Sequence, residues 1–163
     1  MTKILTLLCV IALNAPAIAE VKTMSFTPGV YSGEGILSKS DFGPIPYLLT
    51  LTIGTSGSIR RVQSLKDGTV ISDSLWQIVY ATQGGAFHFV DPNGVTVGNG
   101  FCGSLEHCRY NFVYDDPDRG VQVFITEDLV RTDDRWSRKG RVFKSGATRE
   151  TLEEWSEVLV KNP

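Results

Sequence analysis

Histidine is scarce in this chain. His88 and His107 are the only two, and with no carboxylate cluster beside them they supply too few ligands for a catalytic metal. His88 sits between Phe87 and Phe89, and strand alternation sends it to the face opposite both rings. His107 lies next to Glu106 in a short polar loop. No metal and no cofactor is therefore expected. A charge of one sign is also lacking: 16 Lys and Arg stand against 18 Asp and Glu, a net charge of −2. That balance gives no general attraction for nucleic acid or anionic membranes. No serine is framed as a nucleophile elbow. After the first residues no apolar run is long enough to span a bilayer, so no transmembrane anchor is expected. There is no internal repeat or low-complexity linker, and 163 residues suit one domain with its own core.

What is present begins with an export signal. Lys3 precedes an apolar stretch, Ile4 to Leu13, and then Ala17-Ile18-Ala19 offers a small-x-small cleavage site. Residues 1–19 read as a signal peptide, with a soluble mature chain from Glu20 in the periplasm or outside the cell. Residues 20–28 read as an extended lead-in. Cleavage takes away Cys9, mid-way along the apolar stretch. It also takes away Lys3, so 15 cations remain against 18 acids and −2 becomes −3. Cys102 and Cys108 then form an even pair in an oxidising compartment, which most simply becomes a disulfide. So short a loop gives about 2–3 kcal/mol in the chain-entropy account. The alternatives are a redox pair, whose usual two-residue spacing is absent, or a metal site completed by His107.

The mature chain is a succession of short alternating runs and turn signals. Tyr47, Leu49, Leu51 and Ile53 share one face, as do Trp76, Ile78 and Tyr80, then Phe87 and Phe89, then Val121, Val123 and Ile125. Asp67-Gly68, Asp91-Pro92-Asn93-Gly94 and Asp115 to Gly120 mark turns. Strands at this spacing, joined by short links, favour a mainly β fold: an antiparallel up-and-down β-barrel of about eight to ten strands over 29–163. The stretch from Thr126 to Asp134 is the least regular. At the C-terminus Leu152, Trp155, Val158 and Leu159 form a helical stripe, with Thr148 or Thr151 as N-cap and Glu154 at capping-box spacing from Thr151. An amphipathic α-helix over 148–161, docked on the barrel, is predicted.

The first strand opens Gly29-Val30-Tyr31-Ser32-Gly33-Glu34-Gly35. This resembles the G-x-W opening of lipocalins and, more closely, the G-x-W-x-G-x-G opening of nitrobindin-like barrels, both of the calycin-like group, with Tyr in place of Trp. The resemblance implies an up-and-down barrel whose floor is plugged by Tyr31, with Arg138 or Arg141 packed over it. Nitrobindin-like barrels hold haem through a histidine late in the chain. His88 and His107 are both earlier, so haem is not carried over.

These readings favour a binder over an enzyme. The leading expectation is a lipocalin-like binding protein for a small apolar or amphipathic ligand, held by Tyr31, Glu34, Tyr47, Trp76, Phe87 and Trp136. The alternative is a protein-interaction module, an inhibitor or envelope assembly factor with a filled barrel, whose contacts would be the Cys102–Cys108 loop with Glu106 and His107. No residue is assigned a catalytic role. Glu34 alone offers an acid-base group, and only if it points inward.

Overall fold

The computed structural model describes residues 26–40, 42–81, 85–117, 119–145 and 150–163. Residues 1–19, read as a signal peptide, and most of the expected lead-in lie outside the described residues. Ten strands follow one another: β1 (Gly29–Lys39), β2 (Phe42–Ile53), β3 (Ser58–Ser64), β4 (Val70–Tyr80), β5 (Ala86–Val90), β6 (Thr96–Cys102), β7 (His107–Asp116), β8 (Val121–Thr132), β9 (Arg135–Lys144) and β10 (Thr151–Lys161). Each pairs antiparallel with its sequence neighbours, and β1 pairs with β10, so the sheet closes into a barrel without free edges.

Local chemistry accounts for the strands and their ends. In β2 the inward Tyr47, Leu49, Leu51 and Ile53 are buried and the residues between them exposed. Gly68 and Gly94 take φ of 89° and 82° at the turns into β4 and towards β6, a region that costs glycine little. Asp91 fastens its turn by accepting from the backbone N–H groups of Asn93 and Val95 at 2.9 and 2.8 Å. The irregular stretch after Thr126 is simply the second half of β8, which ends at Thr132 before the turn at Asp133 (φ 51°).

The C-terminal helix predicted over 148–161 is not formed. The described residues contain no helix, and residues 151–161 are β10, hydrogen-bonded to β9 on one side and β1 on the other. Thr148, the alternative cap, lies outside the described residues. Trp155, Glu157 and Leu159 point inward, a period of two in which the middle member is a carboxylate. Counting Glu157 as a surface residue makes Leu152, Trp155 and Leu159 look helical. Placing it inside with cationic partners restores strand alternation. Glu154, taken as a capping residue, lies on the outer face and pairs with Arg141 at 2.8 Å.

The interior is packed at one end and open at the other. At the packed end Tyr31, Phe87, Trp136 and Leu159 are buried with Cys102 and Cys108. The two cysteines face each other in the β6–β7 register and form a disulfide, with Cα atoms 4.0 Å apart. Phe26, just before β1, stops this end: its ring meets those of Phe87 and Trp136 at 5.7 and 5.6 Å, and Trp136 lies 4.8 Å from Tyr31. The lead-in is therefore part of the core at Phe26. One glycine of the opening motif is explained by close approach. Gly35 faces inward beneath the Tyr47 ring, and a Cβ there would come within 2.4 Å of it.

Candidate functional site

Half-way up the barrel the apolar interior gives way to a layer of charge. Arg61 on β3, Glu127 on β8, Arg138 on β9 and Glu157 on β10 all occupy inward positions. Arg138 is saturated. Its Nε donates to Tyr110 Oη at 3.0 Å and to Glu127 Oε2 at 3.1 Å, its Nη2 makes a short contact with Glu127, and its Nη1 lies 2.8 Å from Glu157 Oε2. That last contact brings the charges together without hydrogen-bond alignment. Glu157 Oε1 also accepts from Tyr47 Oη and from Arg61 Nη2, each at 2.5 Å. Two guanidinium groups thus face two carboxylates inside the protein. Such a layer persists only when the charges are matched and hydrogen-bonded.

The protonation equilibria follow from this geometry. Burial is the largest effect on Glu157 and would raise its pKa, but Arg138, Arg61 and the two hydrogen bonds together outweigh it and hold the carboxyl below its ordinary 4.5. Burial, then the neighbouring carboxylates, push the Tyr47 and Tyr110 hydroxyls up, so both stay protonated as donors.

Above this layer the barrel opens into a chamber of about 830 Å³. Arg61 and Glu127 form its base. Phe112, Ile125, Val142 and Trp155 of β7 to β10 line one arc of its wall, and Gln63, Ser72 and Ser74 of β3 and β4, with Trp76 on β4 beneath them, line another. At the mouth, Arg119 donates to Asp116 at 2.7 Å and to Glu153 at 2.5 Å, and Lys39 lies 3.4 Å from Glu153. Below the layer the remaining space shrinks to about 30 Å³, bounded by rings such as Phe26, Phe89 and Trp136. Arg61, Trp76 and Phe112 line both spaces and so partition them. Two wall groups are left short: Arg61 Nε and Trp155 Nε1 are buried donors without a hydrogen-bond partner among the described residues. Each such group costs about 1–3 kcal/mol.

The residues named from sequence fall into separate places. Trp76 lines the chamber and Tyr47 belongs to the charged layer beneath it. Tyr31, Phe87 and Trp136 are buried in the packed end. Glu34 is exposed on the outer face of β1, because Tyr31, Gly33 and Gly35 take the inward positions; this removes the acid-base candidate. Arg138, expected over Tyr31, has its guanidinium in the charged layer, and the ring against Tyr31 is Trp136. Arg141 is outside, on Glu154. His107 is exposed, with Nε2 3.3 Å from Asp128 Oδ1, which also accepts from Arg109.

Arg61, Glu127, Arg138 and Glu157 were not singled out as site residues from the sequence. A signal exists for each. Ile59-x-Arg61, Ile125-x-Glu127-x-Leu129, Trp136-x-Arg138 and Trp155-x-Glu157-x-Leu159 all put a charge in phase with an inward apolar series.

The closed antiparallel barrel with next-neighbour strand order fits the calycin-like class. No family model matches the chain, and no curated protein does. Among solved structures, the crystal structure of Rv2717c from M. tuberculosis is similar to it, with a TM-score of 0.60, covering 91% of this chain and 99% of that chain at 15% sequence identity. The likeness is one of fold, and it places this protein among closed β-barrels of that architecture.

Proposed function

We propose that this chain is an exported binding protein, lipocalin- or nitrobindin-like in design, that holds one small amphipathic molecule in the open half of its barrel. The observation that carries the reading is the contrast between the two halves. Aromatic side chains fill one end, while the other keeps about 830 Å³ open to the mouth, within the size range of small-molecule sites. Its wall has an apolar arc and a polar arc, which suits a ligand with both characters. Mid-strand ion pairs on the outer face, Arg60 with Asp73 and Arg109 with Asp128, support a water-facing exterior, since a lipid-facing band would exclude them. The partner-binding alternative presumes a filled barrel, and the open half removes that premise.

The test is titration with N-phenyl-1-naphthylamine, a neutral fluorophore whose emission rises in apolar surroundings. Saturable one-to-one enhancement is expected, together with a change in tryptophan emission, because Trp76 and Trp155 line the chamber. Ser74→Phe, which fills the chamber from β4, should abolish both. Absence of saturable enhancement, or equal enhancement in the Ser74→Phe protein, would rule the reading out.

A further inference from the structure

The chamber sorts its polar groups into two sets. Six charged side chains line it: Lys39, Arg61, Asp116, Arg119, Glu127 and Glu153. Three are positive and three negative, and each is already in an ion pair: Lys39 and Arg119 with Glu153, Arg119 with Asp116, Arg61 with Glu157, and Glu127 with Arg138. The two partners that lie below the chamber, Glu157 and Arg138, cancel as well. Gln63, Ser72, Ser74 and Tyr114 form the other set. They line the same space, are neutral, and make no side-chain hydrogen bond among the described residues.

Every charged side chain of the chamber thus already has a counter-charge, and Arg61 Nε and Trp155 Nε1, though unpartnered, are buried from solvent; the groups facing the open space with neither ion pair nor hydrogen bond are neutral. An ion entering it would leave water for a site with no net counter-charge, which is costly in a partly desolvated space. A hydroxyl, carbonyl or amide group meets no such cost. It can exchange its water hydrogen bonds for Gln63, Ser72 and Ser74 while its apolar body lies along Phe112, Ile125 and Val142. Resting on the reading of the chamber as a ligand site, we propose that it selects neutral hydrogen-bonding amphiphiles, such as alcohols, ketones or amides, over the carboxylic acid or amine of the same body.

The test is displacement of N-phenyl-1-naphthylamine by decanol, decanoate and decylamine near pH 7, where the last two are ionised. An alcohol partitions better than an ion into any apolar space, so the decisive quantity is how affinity ratios move when the charge balance is changed. Glu127→Gln gives the base one excess positive charge. It should raise the decanoate-to-decanol affinity ratio about tenfold or more, the scale of one charge-assisted hydrogen bond. Arg61→Gln gives the opposite excess and should raise the decylamine-to-decanol ratio similarly. Glu153→Gln, at the mouth and outside the buried layer, should move the ratios in the same direction as Glu127→Gln and covers the case in which a buried variant fails to fold. Tighter binding of decanoate than decanol by the unaltered protein, or ratios that stay within about threefold in folded variants that still bind the fluorophore, would overturn the neutral selection and leave the chamber reading intact. Failure of the fluorophore itself to bind would instead overturn the chamber reading.

Discussion

Replacing Arg138 by Met tests the charged layer most directly. The guanidinium is 5% exposed as a residue, and it supplies a hydrogen bond to Tyr110, contacts to Glu127 and the 2.8 Å approach to Glu157. Methionine fills most of the same volume, so the loss is electrostatic rather than a cavity. Glu157 keeps Arg61 and Tyr47. Glu127 keeps no cation: the other charged members of the layer are Arg61, already on Glu157, and Glu157 itself. Removing one partner of a buried pair costs about 3–5 kcal/mol. For a domain of this size, that corresponds to a fall of roughly 10–20 °C in Tm. Thermal and urea unfolding followed by near-UV circular dichroism would read it. Adding Glu127→Gln to Arg138→Met should recover at least about 2 kcal/mol, a coupling expected only of groups in direct contact. A loss below about 1 kcal/mol for Arg138→Met, or strict additivity in the double variant, would refute the account of a balanced, interdependent layer.

Two further outcomes follow from the same structure. The Glu157 carboxyl is held below 4.5 in the folded protein, so its contribution to stability is complete above that pH and is lost as pH falls through the lower folded value. Glu157→Gln should be less stable than the parent at neutral pH, with the gap closing in acid, and parallel pH profiles would contradict this. Replacing both Cys102 and Cys108 by Ala should cost about 2 kcal/mol, the entropy of opening a loop with a sequence separation of 6. Dithiothreitol should lower the melting temperature of the parent by a matching amount and leave the double variant unmoved.

Much of the architecture is legible in local pattern. Tyr47 to Ile53, Phe87 to Phe89 and Val123 to Ile125 alternate, and their inward faces are where alternation puts them. The turns at Gly68 and Gly94 are announced by Asp-Gly and Asp-Pro-Asn-Gly. The pairing of Cys102 with Cys108 is the one expected when Cys9 is read as part of a signal peptide and the loop between the two is short. The opening motif marks the first strand, but that Gly35 lies beneath the Tyr47 ring is a contact with another strand.

The misread C-terminal element and the unnoticed charged layer share one cause: an inward charge reads as a surface residue. Glu157 read as surface turns β10 into a helix. Glu34, the acid the sequence drew attention to, is the one that faces water, while Glu127 and Glu157 went unremarked. The charge of an inward residue becomes tolerable only through partners on other strands, and Arg61 and Glu157 are 96 residues apart.

Strand order, turn positions and the facing of most apolar side chains were determined by the sequence alone, because alternation and turn chemistry act over a few neighbouring residues. Tertiary structure alone decided that β10 closes on β1, that four charges cancel inside the barrel, and that one half stays open. Those outcomes depend on which side chains meet across the interior: Tyr31, Phe87 and Trp136 converge and fill one end, while Ser72, Ser74 and Gln63 face Val142 and Ile125 across the other without filling it.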